Sequence, residues 1–325
     1  MTRIFSGIQP TGELHLGNYL GAVRTWVREQ NADALYCVVD LHALTIDVDP
    51  SVLRTKTVEL AAGLLASGLD PEICTVFLQS HVAEHTRLSW LLECVVTDGE
   101  LRRMTQFKDK SAKNDVVRGG LLTYPVLMAA DVLLYDTDVV PVGDDQRQHM
   151  ELCRVIAERF NNRFGETFVV PEAMVPKVAA RVMDLQEPLR KMSKSDESPQ
   201  GTVLMFDAPE AIERKFKRAV TDADGEVRYD PAGKPGISNL LEIYASLTGE
   251  STDSIASRYA AYGPLKSDLA QLVIAELEPI RVRRDELLAD PAALRELLAK
   301  GAQRARATAS ATYDRASTAM GLVAP

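Results

Sequence analysis

Two short apolar runs constrain the fold more than any other feature. "ALYCVVD" (34–40) and "ICTVFLQ" (73–79) are apolar almost throughout and end in a polar residue. Such runs belong to strands buried on both faces of a parallel sheet. A third strand-like run, 3–7, opens the chain. Helical sequence separates the three, first over about 16–30 and then over 50–67. The second helix has clear bounds: Asp49-Pro50 reads as an N-cap followed by a first-turn proline, and Gly68 reads as a stop. Strand, helix, strand, helix, strand predicts an α/β fold, a Rossmann-like doubly wound parallel sheet. Ligands on such sheets sit at the carboxyl ends of strands. "SGIQPTG" and "VDLHAL" stand at two of those ends.

Beyond residue 80 the pattern turns helical and polar up to about 120, and "TQFKDKSAKNDVVRGG" reads as a charged, mobile stretch. "LLTYPVLMAADVLLYDTD" (121–138) is strongly apolar, with Pro125 inside it. It predicts a kinked, buried helix before a short strand in "DVVPVG". Helix resumes over about 144–163, and "RVMDL" (181–185) reads as one more strand. After about residue 202 the pattern is mostly helical, over 236–247, 251–261, 264–289 and 291–319. A chain of 325 residues exceeds one ordinary core. The expectation is an α/β catalytic domain over 1–195, with a helical insertion at about 80–120, and an α-helical domain over 196–325. The last helix packs either on its sequence neighbours or back on the first domain.

A formal charge of -9 argues against a general nucleic-acid or DNA binder, but leaves room for a local basic face. Residues 281–306 hold seven basic side chains against four acidic ones, and "ERKFKR" (213–218) is a second cluster. No run approaches the roughly 18 apolar residues of a membrane span. "MTRIFSGIQP" carries no basic stretch followed by an apolar one, as a signal peptide would, so a cytoplasmic protein is expected. Cys37, Cys74, Cys94 and Cys153 are scattered, with no CxxC pair, which predicts buried thiols rather than a metal site or disulfides.

"PTGELHLGN" leads from a strand through a Gly-rich turn to a helix N-terminus, an arrangement that suits an anion. Gly12 and Gly17 would permit close approach, and His15 and Asn18 could donate to phosphate oxygens. An ordinary strand-to-helix connection with a capping Asn fits the same residues. "PLRKMSKSDESPQG" (188–201) reads as a loop. Its Lys191 and Lys194 can each place a compact charge on a polyphosphate, with Ser193 and Ser195 adding donors. A solvated linker is the alternative.

Taken together, "HLGN" and "KMSKS" resemble the two signature motifs of the class I aminoacyl-tRNA synthetases. "IFSGIQPTGELHLGNYLGA", "GELRRMTQFKDKS", "GLLTYPVLMAADVLLYDTDVVPVGDDQRQH", "KMSKSD" and "AVTDADGEVRYDPAGKPGISNLL" extend the likeness over most of the chain, to bacterial tryptophanyl-tRNA synthetases. Asn18 replaces the second His of the generic class motif, a variant usual in this subgroup.

The resemblance implies tryptophan activation by ATP with Mg²⁺ on its phosphates, transfer to tRNA(Trp), and a homodimer formed through the insertion. It implies ATP contacts at Gln9, Pro10, Thr11, His15, Gly17 and Asn18. Gly143, Asp144 and Asp145 would hold the ribose. The backbone of Val182 and Met192 would meet adenine. Lys110, Lys191 and Lys194, with Ser193 and Ser195, would reach the phosphates. Asp131 would accept from the indole N–H while Met128, one helical turn away, packs on the ring. Gln9, Tyr124 and Gln146 would hold the amino acid's polar groups. His42 either lines that pocket or is a satisfied structural histidine. A tyrosyl-tRNA synthetase, a small-molecule nucleotidyltransferase and a non-catalytic paralogue are the competing readings.

Overall fold

The computed structural model describes residues 2–112, 116–143, 146–174, 182–193 and 199–323. Its sheet contains β1 (Ile4–Ile8), β2 (Ala34–Val38), β3 (Thr75–Leu78), β4 (Val139–Pro141) and β5 (Glu172–Met174). The spatial order is β3-β2-β1-β4-β5, and every pairing is parallel. After β3 the chain crosses back over β1 to lay down β4 on the other side. A crevice therefore opens where β1 and β4 end, the switch point of a doubly wound sheet.

Both faces of the sheet are buried at β2 and β3. Ala34, Tyr36 and Val38 of β2 enter one apolar core, and Leu35, Cys37 and the following Val39 enter the other. The first core is shared with the helix Pro50–Ala66, the second with the helices Glu84–Glu93, Gly119–Leu133 and Arg147–Phe164. Asp49 caps the helix Pro50–Ala66 by accepting from the Ser51 and Val52 N–H groups, and Gly68 follows it with φ +110°. Pro125 lies inside Gly119–Leu133, which is buried as expected.

Several expectations need correction. The described part of "RVMDL", 182–185, is not a sheet strand: Met183 makes a single antiparallel bridge to Lys191, within its own loop. The strand beyond β4 is instead Glu172–Met174, whose side chains are all exposed and so carry no apolar signal. "TQFKDKS" forms the helix Thr105–Ser111, its first N–H held by Gln148 Oε1 at 2.8 Å. Near residue 251 the helix is only Thr252–Ala256. Cys94 is exposed, whereas the other three free thiols are buried.

The last helix, Pro291–Ala319, lies along the edge strand β3 and shields its open side. Ala302, Ala305, Ala309 and Ala316 join the second core. Gly301 permits this approach, because a Cβ there would stand 1.9 Å from the Val76 carbonyl oxygen. Most of the basic residues in 281–306 are engaged within the chain. Arg281 pairs with Glu278, Arg283 with Glu286, Arg284 with Glu59 and Lys300 with Glu296. Arg304 and Arg306 donate to the Pro71 and His81 carbonyls. Among the described residues no helix is long and apolar enough to cross a membrane.

Candidate active site

Gln9 follows β1 directly, and Pro10 and Thr11 lead into Gly12, whose φ of +76° turns the chain. His15 then caps the helix that starts at Leu16. Its Nδ1 accepts from the Asn18 N–H at 3.3 Å, and the Asn18 Oδ1 accepts from the His15 N–H at 3.2 Å. The capping alternative is therefore realised by both residues at once. An accepting Nδ1 places the ring proton on Nε2. Gly17 leaves room for the ring here: a Cβ would stand 3.0 Å from His15 Nδ1, and the imidazole would have to give. The next turn, Tyr19–Val23, widens into a π-helix, and the Tyr19 hydroxyl is tied to Glu276 of the C-terminal helices at 2.7 Å.

The second arm is built from the other end of the chain. Met192 donates its N–H to the Val182 carbonyl at 3.0 Å, and both side chains are buried. Asn239 clamps Met183, accepting from its N–H at 2.9 Å and donating to its carbonyl at 3.0 Å. Asp184 caps the adjoining turn through the Gln186 and Glu187 N–H groups, packed so closely on Gly201 that a Cβ there would stand 1.8 Å from Asp184 Oδ1. Thr202 donates to the Ser193 carbonyl. Lys191 is exposed.

These two arms meet. Leu16 N–H donates to Val203 O and Met205 N–H donates to Leu14 O, both at 2.8 Å, and His15 bridges Leu204. A Cβ on Gly17 would lie 3.6 Å from that of Val182. "HLGN" and the root of the "KMSKS" loop thus stand side by side at the carboxyl end of β1. Gly143 is exposed beyond β4, and Gln146 reaches back to its carbonyl at 3.0 Å. Asp144, Asp145, Lys194, Ser195 and the side chain of Lys110 lie outside the described residues.

Deeper in, Asp131 projects from the helix Gly119–Leu133 and is 2% exposed. Its Oδ2 meets His42 Nε2 at 2.7 Å. Its Oδ1 meets Gln79 Nε2 at 2.7 Å and His85 Nδ1 at 2.6 Å. Burial pushes the carboxyl up, but His42 and His85 outweigh it, and the net result is a pKa held down at about 2. Tyr124 sets its ring edge-on to His42, with 6.2 Å between centroids, and its hydroxyl is held by Gln106 and His149. Met128 is half-buried one turn from Asp131. Asp131, His42, Tyr124 and Met128 therefore share one region, at the ends of β2 and β3. His42 is buried with its Nε2 satisfied and its Nδ1 without a hydrogen-bond partner among the described residues.

Gln79, His85, Tyr135 and Asn239 escaped the sequence reading. Gln79 had a signal, being the polar residue that ends the apolar run 73–79. His85 had none, since a histidine inside "HVAEHTRLSW" looks like any helical polar residue.

Residues 1–278 match the family described as tRNA synthetases class I (W and Y). The chain belongs to that family. Within it, the chain is 56% identical to tryptophan--tRNA ligase 1 of Streptomyces coelicolor, over 100% of this chain and 98% of the relative. The fold of these class I synthetases is equally close. The tryptophanyl-tRNA synthetase of Mycoplasma pneumoniae superposes with a TM-score of 0.90 at 35% identity, covering 99% of this chain and 98% of that one. That of Campylobacter jejuni, solved with ADP and tryptophan, gives 0.87 at 36% identity, covering 99% and 100%. The Rossmann-like sheet followed by helices, read from the sequence, is the architecture of these synthetases.

Proposed function

We propose that the protein activates L-tryptophan with ATP to tryptophanyl-adenylate and pyrophosphate, then transfers tryptophan to the 3′ end of tRNA(Trp). The observation that carries this reading is the pairing of segments 14–16 and 203–205, which sets the "HLGN" helix N-terminus against the root of the lysine loop. Full-length likeness to tryptophan--tRNA ligases selects the amino acid.

In this reading the tryptophan carboxylate attacks the α-phosphorus, a P–O bond to the amino acid forms, and the bond to pyrophosphate breaks. The protein contributes position and charge rather than covalent chemistry. ATP enters as its Mg²⁺ complex, which is substrate and not a resident cofactor. Gln9, Pro10, Thr11, His15, Gly17 and Asn18 form one wall. Adenine would meet the second arm. There the Met192 N–H is engaged by Val182, while no described bond takes the Met192 carbonyl or the Val182 N–H. One acceptor beside one donor matches the adenine amino group and its neighbouring ring nitrogen. Lys110, Lys191 and Lys194, with Ser193 and Ser195, would neutralise the leaving pyrophosphate. Gly143, Asp144 and Asp145 would hold the ribose, and Gln9, Tyr124 and Gln146 the amino and carboxylate groups of tryptophan. The deciding experiment is amino-acid-dependent ATP–pyrophosphate exchange without tRNA, followed by charging of tRNA(Trp). Exchange with tryptophan alone is expected. Exchange with tyrosine instead would overturn the pocket assignment.

The catalytic unit is read as 1–195 and the tRNA-reading helical unit as 196–325. Phosphate contacts fall to Arg214, Lys217, Arg218 and Arg295, which are exposed and make no described ion pair. A homodimer is supported by the apolar surface around the helix Glu84–Glu93. Trp90 is 66% exposed and Leu44 56%, and together with Tyr124 and Leu127 they line a shallow cavity. Sedimentation equilibrium should return twice the 35.7 kDa chain mass, and a monomer at micromolar concentration would defeat the assignment. Such substrates and free thiols suit the cytoplasm.

A further inference from the structure

The Asp131 carboxylate is surrounded by more donors than indole recognition needs. A carboxylate offers about four lone-pair sites, two on each oxygen. Gln79 Nε2 and His85 Nδ1 take both sites of Oδ1, at 2.7 and 2.6 Å. His42 Nε2 takes one site of Oδ2, at 2.7 Å. Among the described residues no further donor reaches the carboxylate, so one site remains, on Oδ2. Behind His85 stands Tyr135, fully buried, whose hydroxyl meets His85 Nε2 at 2.7 Å. If Tyr135 donates its proton there, His85 is left with its own proton on Nδ1, directed at Asp131. Gln79 follows the end of β3, and His85 lies on the next helix, Glu84–Glu93.

We propose that Gln79 and His85, with Tyr135 setting the tautomer of His85, are positioning residues that saturate one oxygen of Asp131, so that the other presents a single acceptor to the substrate ring N–H. This rests on the reading of Asp131 as the indole acceptor. The remaining acceptor site on Oδ2 favours a ring that carries N–H over an isostere that carries none. The other titratable groups facing the carboxylate are His42, Cys37 of β2, Cys153 of the helix Arg147–Phe164, and Tyr135. Burial pushes the two thiols and the phenol up, Cys153 to about 12, so they stay uncharged around it.

The test compares tryptophan with 3-benzothienylalanine, in which sulfur replaces the ring N–H, by ATP–pyrophosphate exchange in the full-length protein. Gln79→Met and His85→Leu should each lower the preference for tryptophan about 10-fold, through KM for tryptophan, with KM for ATP unchanged. His85→Asn can place an amide N–H where Nδ1–H was, and should recover most of the preference. A second signature is pH. Loss of a donor lets burial lift the Asp131 carboxyl, so as pH falls the KM for tryptophan should begin to climb at a higher pH in His85→Leu than in the parent.

If both amino acids and ATP are affected alike and the preference is kept, Gln79 and His85 are merely structural and the proposal fails. It fails equally if His85→Asn is no better than His85→Leu. Should those variants not fold, Tyr135→Phe decides, since it removes one hydroxyl. It should lower the preference by about 3-fold, and an unchanged preference overturns the proposal. Asp131→Ala separates the two levels. A preference kept in Asp131→Ala removes the indole-acceptor reading itself. A preference lost there but kept in the Gln79 and His85 variants removes only this inference.

Discussion

Asp131→Ala should lower kcat/KM for tryptophan by up to about 10²-fold, and should lower stability as well. Each loss has its own cause. The ring N–H loses a charged acceptor, a contact worth about 1.5–3 kcal/mol. His42, Gln79 and His85 are all buried and would lose the acceptor they share. A buried donor left unsatisfied costs about 1–3 kcal/mol. The stability loss has a pH signature. The folded pKa of Asp131 is about 2, against an ordinary 3.8, so this carboxylate stabilises the fold above about pH 4, and the contribution disappears as pH falls through about 2. Glu100 behaves in the same way: Arg159 holds it down from 4.5 to about 2. The difference in melting temperature between the parent and Asp131→Ala should therefore narrow as pH falls from about 4 to about 2. A constant gap across that window would mean the side chain acts by shape alone.

Lys194→Ala should slow adenylate formation by about 10²–10³-fold and leave tryptophan binding almost unchanged. Removing one preorganised charge from a developing oxyanion costs about that much elsewhere. The separation of rate from binding follows from where the loop is rooted. Its base is held by Asp184, Gly201, Thr202 and Asn239, next to Val182 and Met192, through contacts that do not involve Asp131. Single-turnover adenylate formation measures the first quantity, and equilibrium tryptophan binding without ATP measures the second. A normal rate would sink the role given to the "KMSKS" lysines. A rate loss matched by an equal loss of tryptophan affinity would mean that the loop shapes the amino-acid pocket.

The legible part of this protein was local. Runs 34–40 and 73–79 are apolar because both faces of β2 and β3 are covered, and burial on both faces leaves a mark in a few adjacent residues. Asp49-Pro50 and Gly68 marked a helix for the same reason: a cap and a stop are properties of neighbouring backbone groups. Glu172–Met174 left no such mark. It is an edge strand with exposed side chains, joined to the sheet by backbone bonds that any sequence can make. "RVMDL" shows the opposite case, an apolar run buried by a loop and by Asn239 instead of by a sheet.

The chain by itself determined the fold class, the two motif segments and the acidic residue proposed to answer indole, because strand burial, glycine turns and motif residues are written in short stretches. Only the tertiary structure decided what surrounds that residue. His42, Gln79, His85 and Asp131 come from four segments separated by up to 89 positions. They meet because parallel strands in the order β3-β2-β1-β4-β5 bring their carboxyl ends to one side. Hydrogen bonds across such distances have no period along the chain. They are set by the sheet order, and that order is fixed by the packing of all the elements together.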